Sequence, residues 1–136
     1  MFGGYFNGFI EGWGLFAEKL HTNTDPFVEF GSLEMEMLRT LRIVVDIQLN
    51  LHGAKIEDMI QYMSKYLTSG LPTITSEVYR YIAIPGQALG YRIGYEIISR
   101  YFFKSDSKIN NKLSDKTIKK YNKMINHGPV PLTLLN

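Results

Sequence analysis

Apolar positions recur at helical spacing along almost the whole chain. From about residue 7 to 21, Phe9, Ile10, Trp13, Phe16, Ala17 and Leu20 share one face, while Glu11, Gly14, Leu15 and Glu18 take the other. Residues 22–26 (Thr-Asn-Thr-Asp-Pro) are turn chemistry and close this helix. A second helix is predicted over about 32–50, with Ser32 as its cap and Glu34 and Glu36 near its positive end. Leu33, Met37, Leu38, Leu41, Val44, Val45 and Leu49 give it a wide apolar face, and Arg39, Arg42, Asp46 and Asn50 a narrow polar stripe. Arg42 and Asp46 stand four apart and can pair. A helix so apolar is buried, so its stripe is expected to face solvent, a cleft or a partner.

A third helix is predicted over about 55–68, with Ile56, Met59, Ile60, Met63 and Leu67 at core spacing. Residues 69–72 read as a loop, and a short fourth helix follows Thr75-Ser76-Glu77 and ends before Pro85. Pro85 suits the first position of a fifth helix, about 85–103. There Gly86, Gly90 and Gly94 recur every four residues, a pattern that lets another backbone come close. Arg92, Glu96 and Arg100 form a solvated ladder on the opposite face. Ser105 to Lys112 reads as a mobile loop, and Ser114 caps a last helix to about Asn126, with Ile118, Tyr121 and Ile125 inward. His127-Gly128-Pro129 stops it, and an extended apolar tail follows. The expected fold is all-α, a bundle of roughly six helices forming a single unit over residues 1–136.

Composition narrows the chemistry. With 136 residues the chain is long enough for one modest core, and its 45% hydrophobic content is that of a globular protein. There is no cysteine, so thiolate metal sites, disulfides and cysteine nucleophiles are excluded. A net charge of +2 and sparse aromatic interleaving in the lysine-rich stretch give no reason to expect nucleic acid. No apolar run approaches the roughly 20 residues of a membrane span, and no basic leader opens the chain, so no membrane association and a cytoplasmic location are expected. His21, His52 and His127 form no zincin pattern, and no phosphate-binding glycine loop or nucleophile elbow is present.

The segment Phe9 to Glu18 sets two carboxylates seven residues apart around the only tryptophan. On a helix that spacing puts Glu11 and Glu18 on one side, either a solvated face or one wall of a site. The segment resembles the Glu-Gly-Trp-Ala-Leu-Tyr-Ala-Glu motif of a bacterial family, domain of unknown function 885. Arg42 to Asp46, Pro85 to Gly94 and Gly128 to Leu132 resemble further segments of that family, in the same order. Its members are several times longer and resemble gluzincin-type zinc peptidases, with a His-Glu-x-x-Pro-Gly-His helix. The resemblance implies that Glu11 is the third zinc ligand, Tyr91 a donor to the oxyanion, and Glu18, Arg42, Asp46 and Gln87 cleft residues. It also implies a peptide-like substrate.

The histidine motif is absent, so the chain is expected to be the C-terminal part of such a fold. It would be an incomplete domain, inactive alone and holding no zinc, with its N-terminal half encoded separately. Asn50 stands where the family has a histidine, and Lys55 where a helix cap is expected. A stand-alone helical binding or structural module that has lost catalysis is the alternative. Phe2, Tyr5, Phe6 and Phe9 are expected to form an exposed patch that drives self-association.

Overall fold

The computed structural model describes residues 3–20, 25–103 and 115–135. They form six α-helices and one 3₁₀ helix, as the all-α expectation requires: α1 Gly3–Leu20, α2 Pro26–His52, α3 Ile56–Ser64, α4 Leu71–Ala83, α5 Leu89–Phe103, α6 Asp115–His127, and the 3₁₀ turn Leu132–Leu135. Phe2, the Tyr5 side chain, the cap at Ser114, the segment 105–112 and the Ile125 side chain lie outside the described residues. The fold divides into two compact units, residues 1–22 with 90–136, and residues 23–89.

In the second unit, α2 is longer than its apolar pattern predicts. Asp25 caps it by accepting from the Phe27 amide at 2.9 Å, and Pro26 fills the first helical position. What reads as a stop signal for the preceding helix is therefore the start signal of this one. Gly53 ends α2 in the left-handed conformation at φ 65°. Similarly α4 begins at Leu71, with Pro72 in its first turn, rather than after Thr75. Lys55 precedes α3 without any side-chain cap. Leu41, Val45, Met63, Leu67, Ile74, Val78, Tyr81 and Ala88 form the core of this unit.

The polarity of α2 is the main departure from expectation. Arg42 and Asp46 are buried, whereas Leu33, Met37 and Val44 are exposed. Arg42 and Asp46 face inward because α4 and the turn after it supply partners for both charges.

In the first unit, Phe9, Phe16, Ile98, Phe102, Met124 and Leu135 form the core, and Trp13 packs between Phe9 and Tyr121. Phe9 is thus buried rather than part of an exposed patch, and Phe6 is half-buried. Leu15 is also buried and Ile10 exposed, the reverse of the predicted faces. The tail after Gly128 turns into the 3₁₀ helix instead of staying extended, and Leu132 seats against Gly8 of α1.

Candidate functional site

Glu11 and Glu18 both project from α1, Glu11 half-buried and Glu18 exposed. Seven residues of helix separate them by about 10 Å along the axis, too far to share one ion. Tyr91 is half-buried in the first turn of α5. Those two helices meet backbone to backbone. A Cβ added to Gly94 would fall onto the Gly8 carbonyl oxygen and lie 3.0 Å from the Gly12 Cα, and one on Gly12 would fall onto the Gly94 backbone. Gly90 is similarly filled by the Asn7 side chain. The glycines at 90 and 94 therefore serve close packing. Gly86 does something else: it lies in the turn before α5 at φ 78°, where helical continuation from Pro85 is impossible. Among the described residues, no group of three or more His, Asp or Glu side chains gathers as metal ligands.

The second cluster centres on Glu77 of α4, which the periodicity of the sequence did not single out. Its Oε2 accepts from Arg42 Nη2 at 2.9 Å, Arg42 Nε at 3.1 Å, Arg80 Nη2 at 2.9 Å and Tyr81 Oη at 2.7 Å. Arg42 Nε also donates to Tyr81 Oη at 3.2 Å. Burial pushes the Glu77 carboxyl up, but the Tyr81 hydroxyl and the two guanidinium groups outweigh it and hold the carboxyl below its ordinary range. Burial and the bond to Glu77 push the Tyr81 phenol well up, against the pull of Arg42, so it stays a neutral donor. The signal available in sequence was local: Glu77, Arg80 and Tyr81 stand at i, i+3 and i+4 on one helix.

Asp46 is 3% exposed and forms the adjoining half of the network. Both its oxygens accept from the Gly86 amide, at 3.0 and 3.1 Å, and Asn50 Nδ2 donates to Oδ1 at 3.1 Å. Asn50 also donates to the Tyr81 carbonyl at 3.1 Å, which ties α2 to the end of α4. Gln87, just past Gly86, accepts from Arg80 Nη1 at 3.2 Å. The structure thus brings Arg42, Asp46 and Gln87 into one network, in the second unit. Glu11, Glu18 and Tyr91 belong to the first. The arrangement in the second unit stabilises a carboxylate and holds the Pro85–Gln87 turn; every polar group of Asp46 and Glu77 named here is spent on a neighbour in the chain.

No helix among the described residues is long and apolar enough to cross a membrane. No curated protein matches the chain. A solved structure does: “the putative lipoprotein from Colwellia psychrerythraea” is 30% identical and superposes with a TM-score of 0.83 over 95% of this chain. This chain spans 23% of that one. The sequence profile of the family described as “Bacterial protein of unknown function (DUF885)” matches residues 1–136. With the motifs around Trp13 and Gly86 and the shared helical arrangement, the profile match places this chain in the DUF885 family of bacterial proteins.

Proposed function

We propose that this chain is the C-terminal part of a gluzincin-like zinc peptidase fold and contributes one metal ligand, Glu11, together with cleft residues. Among the described residues Glu11 stands in no group of three His, Asp or Glu side chains, so on this reading the other ligands come from elsewhere. The zinc-binding histidines and the general base belong, on this reading, to a part of the fold outside these residues, and these residues alone are inactive. The observation that carries the proposal is the rigidity beneath Glu11. Gly8 and Gly12 pack its helix against Gly94 with no room for a side chain, which holds the backbone that carries this half-buried carboxylate. Tyr91 stands on the partner helix of that contact and takes the oxyanion-donor role. Glu18 stands on the same helix, and Arg42, Asp46 and Gln87, in the second unit, are carried as cleft residues for a peptide-like substrate by the family resemblance alone.

The test is reconstitution. The chain is mixed with the N-terminal part of a family member that carries the His-Glu-x-x-Pro-Gly-His motif, and zinc content and peptide hydrolysis are measured. Stoichiometric zinc and hydrolysis, both lost in Glu11→Gln, are the expected results. A reconstituted complex whose zinc content ignores Glu11→Gln overturns the proposal.

A second reading, a helical binding or structural module without catalysis, draws on a different observation. Arg42, Asp46 and Glu77 are consumed by one another and by Gly86 and Tyr81, as a structural network would be. It requires a monodisperse chain with one cooperative melting transition and no gain of zinc on reconstitution.

A further inference from the structure

The side of α2 turned away from its core carries a heptad seam. Phe30, Met37, Val44 and Leu51 stand seven residues apart and are 59%, 43%, 40% and 76% exposed. Leu33, Thr40 and Ile47 each follow one of them by three residues; Leu33 and Thr40 are exposed and Ile47 half-buried. These are the a and d positions of three consecutive heptads, along about 32 Å of helix. An apolar stripe this long and this regular marks an interaction surface rather than scattered surface residues. Nothing in the core packing of α2 requires it, since that core uses Leu38, Leu41, Val45 and Leu49.

We propose that this seam pairs with the same seam of a second copy of the chain, in antiparallel orientation. The sequence of the seam is self-complementary in that direction. Antiparallel helices set a positions against d positions, which places Phe30 on Ile47, Leu33 on Val44 and Met37 on Thr40, and each pair recurs in reverse across a twofold axis. Large side chains thereby meet β-branched ones. Thr40 brings no unmet donor to the contact, because its hydroxyl already donates to the Glu36 carbonyl at 2.9 Å. Charge selects the direction. The acids beside the seam, Glu29, Glu34 and Glu36, all lie in its N-terminal half, and Ile43, Gln48 and Asn50 flank the C-terminal half. A parallel pair would set acid against acid, whereas the antiparallel pair sets the acids against uncharged residues. This inference stands apart from the zinc-site reading and survives its failure.

Sedimentation of the full chain across a hundredfold concentration range is expected to show a monomer–dimer equilibrium. Val44→Glu puts a charge in the seam and is expected to weaken the dimer roughly tenfold or more. Val44 lies outside the core, so the circular dichroism of that variant should remain native and separate lost pairing from lost folding. Orientation is read with cysteines introduced into a chain that has none. Leu33→Cys mixed with Val44→Cys should form the mixed disulfide. Leu33→Cys alone should not cross-link, since its two copies would sit about 16 Å apart along the axis, beyond disulfide reach. A monomer at every concentration overturns the proposal and leaves the seam to some other helix. A dimer indifferent to Val44→Glu, or Leu33→Cys cross-linking with itself, overturns it as well.

Discussion

Gly94 and Gly14 show how differently the same residue type is used. A Cβ at Gly94 would collide with the Gly8 carbonyl, whereas one at Gly14 meets nothing within 4 Å. Gly94→Ala is therefore expected to destabilise the chain by about 1–3 kcal/mol, through forced separation of α1 and α5. Gly14→Ala is expected to stabilise it by up to about 1 kcal/mol, through helix propensity. Urea unfolding of the two variants checks both signs. The four-residue glycine repeat was legible in the sequence, but the separate role of Gly86 was not: it combines a positive φ with an amide bound by Asp46, forty residues away. Glu77 has a pH signature. Its carboxyl is held below the ordinary value of 4.5, so its contribution to stability is present above that pH and is lost as pH falls through the lower folded-state value. Tyr81 works at the other end: its raised ionisation means that stability declines once pH passes about 10, where the unfolded phenol ionises first. Thermal melts from neutral to acid pH should show the acid decline, and Glu77→Gln should flatten it.

At the scale of elements, two helix starts and the faces of α1 and α2 departed from the linear reading. Asp25-Pro26 and Gly70-Leu71-Pro72 look like breaks in a linear reading, because proline ends a helix as readily as it opens one. In the fold both prolines sit in first turns. The uncapped start of α3 was visible in advance, since a lysine cannot accept from the free amides. Lys55→Asp or Lys55→Ser should recover about 0.5–1 kcal/mol, measured as a higher urea midpoint with an unchanged slope. A midpoint that does not rise would show that α3 takes its stability from Met63 and its neighbours rather than from its end. The faces of α2 were misread for a physical reason. Hydrophobic periodicity assumes that apolar residues point inward, and here Arg42 and Asp46 are turned inward by partners on α4 and in the Gly86 turn. Those partners offset the desolvation of both charges.

For the whole molecule, two cores mean two places to wound it. Phe16 belongs to one and Met63 to the other, and both are fully buried. Phe16→Ala is expected to cost about 3–5 kcal/mol and Met63→Ala about 2–5 kcal/mol. Hydrogen exchange should locate the first loss of protection in α1, α5 and α6 for Phe16→Ala, and in α2, α3 and α4 for Met63→Ala. Uniform loss across all helices in both variants would show that the two cores melt as one. Sequence alone carried the helical class, the core residues of α3 and the family motifs, because periodicity and short motifs are local properties written in neighbouring residues. The inward turn of the Arg42–Asp46 stripe, the Glu77 network and the fit of Gly8 and Gly12 onto Gly94 emerged only with the tertiary structure. Each depends on residues from distant parts of the chain, and a hydrogen bond or a close backbone contact exists only once packing has brought its two sides together.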